Sequence, residues 1–222
     1  MQKFDTATPV SLVLDIPAGR IRLIAADGAG ASVEVLPADA SKSRDVKAAE
    51  LTTVDYRDGV LRIETSSAKN RLVGTTGSLE VTVQLPAGSR VEAKAASAEF
   101  RGTGRLGDVT YEGAEGSVTL DETAGARLTL LAGDISVGRL GGSAEISTQK
   151  GDIEIAEATG GKVTLRTEAG DLSIGAARGV SASLDAGTSS GRINNALQNN
   201  GGDAALNIHA TTAFGDITAR SL

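Results

Sequence analysis

The sequence contains no cysteine, no tryptophan and one histidine, His209. Without cysteine there can be no disulfide, thiolate nucleophile or thiolate metal site. One histidine excludes a His-rich metal centre. Only five residues are aromatic (Phe4, Tyr56, Phe100, Tyr111 and Phe214), too few to build stacking platforms for sugars or bases. Long apolar runs are also missing. The stretch from Val10 to Leu14 is interrupted by Ser11 and closed by Asp15, short of the apolar core of an export signal. Nothing approaches the roughly 18 residues of a membrane span. These absences predict a cytoplasmic chain with no membrane insertion. The balance of 22 basic and 28 acidic residues, net −6, disfavours nucleic acid or an anionic membrane as partner.

What remains is 222 residues, 40% of them hydrophobic, with 28 glycines. That glycine content is well above the usual level of about 7%. The texture changes near Gly88. All four prolines and only 7 glycines lie in residues 1–88, whereas residues 89–222 hold 21 glycines and no proline. The two parts carry net charges of −1 and −5. Residues 1–88 read as an N-terminal β-strand region, with strands at Ser11–Ile16, Arg20–Ala25, Val33–Leu36, Thr52–Tyr56, Val60–Glu64 and Glu80–Leu85. Asp58-Gly59 marks a hairpin, and Ser41–Leu51 reads as a short helix.

Residues 89–222 repeat. A small residue recurs at Ala98, Gly116, Gly133, Gly151, Gly170, Gly191 and Gly215. Two positions later stands a large apolar residue: Phe100, Val118, Ile135, Ile153, Leu172, Ile193 and Ile217. Before the six glycines the alternation continues as Val109/Tyr111, Ala126/Leu128, Ala144/Ile146, Val163/Leu165, Leu184/Ala186 and Ile208/Ala210. One unit is therefore strand, corner, strand, corner. Such units cannot bury their own apolar side, but a stack of them can. The pattern predicts an all-β, single-stranded β-helix or β-solenoid of about seven short rungs over residues 89–222, capped by residues 1–88. A β-sandwich is the competing fold. Thr148, Thr167, Thr188 and Thr212 share one phase and predict a ladder of hydroxyls bonding from rung to rung.

The phrases Ile16-Pro17-Ala18-Gly19 and Leu85-Pro86-Ala87-Gly88, the strand Asp58–Ile63, and the run of Gly-Asp-Ile/Leu units together resemble the bacterial β-strand-repeat family of unknown function labelled "putative adhesin". The resemblance spans nearly the whole chain. It implies the repeat architecture and surface display, and carries no chemistry.

Asp134, Asp152, Asp171 and Asp216 follow four of the corner glycines. They read as turn devices, each carboxylate accepting a backbone N–H. The alternative is a surface stripe for Ca²⁺ or a basic partner. His209 and Asp185 share a phase on neighbouring units and read as an exposed pair, because Ser183 and Ser189 point outward with no oxyanion hole. No loop matches a phosphate cradle. No residue is assigned a catalytic, cofactor-binding or metal-ligating role, and the chain is read as a non-enzyme. The outward positions Arg101, Thr119, Ser136, Glu154, Ser173, Asn194 and Thr218 form a level polar face suited to a protein or polysaccharide. The reading is thus a scaffold or binding module. The alternatives are a self-assembling structural β-helix and a glycan-active enzyme. The final strand, Gly215–Arg220, reads as an open end and predicts a weak homodimer through the C-terminal rung.

Overall fold

The computed structural model describes residues 1–6, 8–28, 30–66, 77–199 and 203–222. The polar expansion at Asn194–Asp203 lies outside this set at residues 200–202. The chain divides into two compact units, Met1–Ala114 and Glu115–Leu222. Among the described residues no helix is long and apolar enough to cross a membrane.

In the first unit β1 (Gln2–Phe4), β2 (Ser11–Ala26) and β3 (Ala31–Pro37) precede α1 (Ser43–Glu50). Then come β4 (Thr52–Arg57), β5 (Val60–Thr65), β6 (Leu79–Pro86) and β7 (Arg90–Thr129), the last continuing into the second unit. The Asp-Gly hairpin forms as its residues require: Asp58 and Gly59 both have positive φ, 50° and 79°, between antiparallel β4 and β5. The buried Asp45 of α1 accepts the Ser78 backbone N–H at 2.9 Å.

The strands expected at Ser11–Ile16 and Arg20–Ala25 are one sixteen-residue strand, β2. It turns at Gly19, where φ is +135°, and runs parallel to β7, with Gly19 opposite Ala98 and Ile21 opposite Phe100. On its other side β2 pairs with β5 and then β6, also in parallel. The repeat therefore begins at Ser11 rather than Arg90. It is concealed because α1 and the β4–β5 hairpin intervene before the next rung. The two Pro-Ala-Gly phrases also occupy different places: Ile16 lies opposite Ala95, whereas Leu85 lies opposite Ala25.

Phe100 and Tyr111 stack in this unit's core with ring centroids 4.8 Å apart, both fully buried. The Tyr111 hydroxyl has no hydrogen-bond partner, and burial pushes its ionisation up to about 12. An unpaired buried hydroxyl costs stability, so Tyr111→Phe should stabilise the unit by about 1 kcal/mol near neutral pH. The unfolded chain releases this proton near pH 10. The tyrosine's contribution is complete below that pH and declines as pH rises towards 12. Between pH 8 and pH 11 the wild type should lose about 1.4 kcal/mol that Tyr111→Phe retains. Urea denaturation at both pH values measures this, and equal losses in the two proteins would refute it.

The second unit contains the C-terminal end of β7, then β8 (Ile135–Leu140), β9 (Ala144–Ser147), β10 (Ile153–Ala158) and β11 (Gly161–Arg166). It continues with β12 (Leu172–Ala176), β13 (Ala182–Ser190), β14 (Ile193–Ala196), β15 (Leu206–Phe214) and β16 (Ile217–Ser221). Every pairing here is parallel, which makes the unit β-solenoid-like. One row runs β7, β8, β10, β12, β16, β14, and the other β7, β9, β11, β15, β13. Val118, Ile135, Ile153, Leu172 and Ile217 form the expected column, each 1% exposed. This repeated apolar position is what the short strands bury jointly.

The order of the last two rungs is reversed in space. Leu172 lies opposite Ile217, and Ile217 opposite Ile193. The C-terminal rung is thus held between its predecessors, and Thr218 sits between Ser173 and Asn194. The open end expected at Gly215–Arg220 is instead at β13 and β14, which pair on one side only among the described residues. Ile193, the last of the column, is accordingly 46% exposed.

Candidate functional site

The four corner aspartates fall into one row, and each carboxylate crosses to the next rung. Asp134 Oδ1 accepts the Asp152 N–H at 2.9 Å, Asp152 Oδ1 that of Asp171 at 2.7 Å, and Asp171 Oδ1 that of Asp216 at 2.7 Å. Asp216 Oδ1 accepts the Arg192 N–H at 2.8 Å. The bonds expected within each aspartate's own corner thus run from rung to rung instead. Arg192 ends the row by donating Nε and Nη2 to Asp216 Oδ2 at 3.0 and 2.6 Å. These side-chain bonds, with the backbone N–H, hold the Asp216 carboxyl below its ordinary range. The carboxylates are aligned rather than convergent: no three His, Cys, Asp or Glu side chains gather as a metal site among the described residues. Arg192 was legible only as a break in the acidic phase, and its capping role follows from the exchanged rung order.

The threonine ladder also bonds between rungs, but to carbonyls rather than hydroxyl to hydroxyl. Thr148, Thr167, Thr212 and Thr188 donate Oγ1–H to the carbonyls of Gly133, Gly151, Gly170 and Gly215 at 3.1–3.4 Å. Three of them are buried, and their bonds satisfy corner carbonyls that would otherwise lack a partner. His209 Nδ1 lies 3.0 Å from Asp185 Oδ2, with the Asp185 side chain 84% exposed. Ser183 donates to Asn207 Oδ1 at 2.8 Å, so its hydroxyl engages the amide, and the pair remains a surface contact.

The outward column is in register through the second unit: Thr119, Ser136, Glu154, Ser173, Thr218 and Asn194 lie opposite one another in turn. All are partly or fully exposed. Of the six, only Glu154 has a long side chain. On the other row Arg127, Glu145, Thr164, His209 and Asp185 align in the same way. The Arg127–Glu145 ion pair at 2.7 Å closes one end and the His209–Asp185 contact the other.

No curated protein matches the chain. Solved structures do. A putative adhesin from Bacteroides fragilis is 12% identical, with a TM-score of 0.47 over 100% of this chain and 95% of that one. A putative adhesin from Parabacteroides distasonis is 16% identical, with a TM-score of 0.47 over 100% and 92%. A putative cell adhesion protein from Clostridium sporogenes is 11% identical, with a TM-score of 0.43 over 100% and 97%. The family model Toastrack DUF4097 matches residues 11–221, from the first residue of β2 to the last of β16. The resemblance carried by the Pro-Ala-Gly and Gly-Asp-Ile phrases is thereby borne out, and the chain belongs to the Toastrack DUF4097 family.

Proposed function

We propose that the chain is a non-enzymatic binding module that presents the polar column of its second unit to a protein or polysaccharide partner. The observation that carries this reading is the register of Thr119, Ser136, Glu154, Ser173, Thr218 and Asn194, four of them on β8, β10, β12 and β16, which are paired on both sides. Short side chains on a fixed backbone meet a partner with little loss of conformational freedom. Their hydroxyls and amides can both donate and accept hydrogen bonds.

The test uses the full chain immobilised and exposed to purified envelope polysaccharides and to extract from the native cell. Joint replacement Ser136→Arg and Ser173→Arg puts two long side chains on the level face. Retained material should fall about ten-fold, whereas Ser147→Arg on the other row should leave it unchanged. Equal retention by all three proteins would defeat the proposal. Turnover of glycan, ester or phosphate substrates that disappears in His209→Ala would overturn its non-enzymatic part.

A further inference from the structure

On the row opposite the polar column, the second unit has an open surface cavity of about 470 Å³ lined by Arg127, Ser143, Glu145, Lys162, Thr164 and Arg166, together with Ala126 and Ala144. Three cations face one carboxylate, so the lining carries two excess positive charges on a chain whose net charge is −6. Glu145 is already engaged by Arg127 at 2.7 Å.

Among the described residues, Lys162 and Arg166 have no such partner. Some outward cations stand one rung from an acid, as Arg90 with Asp108, Lys94 with Glu112 and Arg139 with Glu157 do. The rung neighbours of Arg166 are Ser147 and Thr211, and Lys162 lies opposite Asn207. The Lys162 backbone N–H donates to Ser143 Oγ at 3.1 Å. Short neutral neighbours therefore leave both cationic heads exposed, one on either side of Thr164 on the same face of β11. A guanidinium fork and an ammonium in a concave wall are suited to a compact multivalent anion. Two excess charges match a phosphate monoester, which carries about −1.5 to −2 at neutral pH, better than a single carboxylate.

We propose that this cavity binds a phosphate monoester dianion, independently of the polar column. The group could belong to a phosphorylated solute or to a lipid headgroup, and the experiment separates the two. Calorimetry with glucose 6-phosphate, and sedimentation with phosphatidylcholine vesicles containing phosphatidate, would be run on the full chain at low salt, where exposed charges are least screened. Lys162→Ala and Arg166→Ala should each weaken binding about five-fold. Arg139→Ala, whose side chain pairs with Glu157 away from the cavity, should change it less than about two-fold. Binding of the soluble ester alone, of vesicles alone, or of both identifies the source and upholds the site. No saturable binding in either arm overturns the proposal. So does binding that survives both cavity substitutions, or that falls equally in Arg139→Ala.

Discussion

Ile153→Asp should unfold the second unit. Ile153 is 1% exposed, with Ile135 on one side and Leu172 on the other. No cation or polar group of the column can meet a carboxylate there. The substitution removes a full apolar side chain and buries an unpaired charge, together about 5 kcal/mol or more. A domain holds only about 5–15 kcal/mol in all, so circular dichroism at 25 °C should show lost β structure in the residues that follow Glu115. Glu154→Gln, one residue along and exposed, should leave the unfolding midpoint nearly unchanged. A cooperative native-like transition in Ile153→Asp would mean that the column is not the core.

Gly151→Ala should cost nearly as much although it adds one methyl group. Gly151 has φ +141°, a conformation that L side chains rarely adopt. A Cβ there would also lie 2.5 Å from the Gly133 carbonyl carbon and closer still to its oxygen. That carbonyl belongs to the neighbouring rung and already accepts the Thr148 hydroxyl, so it has no room to retreat. Strain and overpacking together predict a loss of about 3–5 kcal/mol. Gly187→Ala is the control, because nothing lies within 4 Å of its added methyl, and it should shift stability by less than about 0.5 kcal/mol. Urea midpoints decide the matter, and equal shifts for the two alanines would show that the corner yields.

The column and the corners were legible because both have a chemical signature at a constant phase. Ile153, Leu172 and Ile217 mark the inward position, and a glycine two residues earlier marks the bend. The aspartate turn device was readable from Gly-Asp, but its acceptor role in the next rung was not, since alternation along one strand does not reveal which strand lies beside it. The order of the last rungs was hidden for the same reason. Ile193 and Ile217 are the same residue type, so either fits against Leu172. Only the longer spacings to Gly191 and Gly215 hinted at a detour. The cavity at Lys162 and Arg166 passed unnoticed because two cations on one strand face are ordinary. What distinguishes them is that they line one surface hollow with Arg127, and this becomes visible only with the register known.

The exchanged order of the final rungs also bears on how the chain is made. A stack built in chain order could grow as residues leave the ribosome, each rung docking on the one before. Here β13 and β14 emerge while the place that will separate them from β11 and β12 is still empty. Their proper neighbours, β15 and β16, end only at Ser221. Until then Ile193 can rest on Leu172 in a misordered stack with almost the same apolar contacts, a local trap close in energy to the native state. Release from it requires β13 and β14 to lift away so that β15 and β16 can enter as a wedge. Completion of this unit therefore waits on β15 and β16, and the slow step belongs to their insertion.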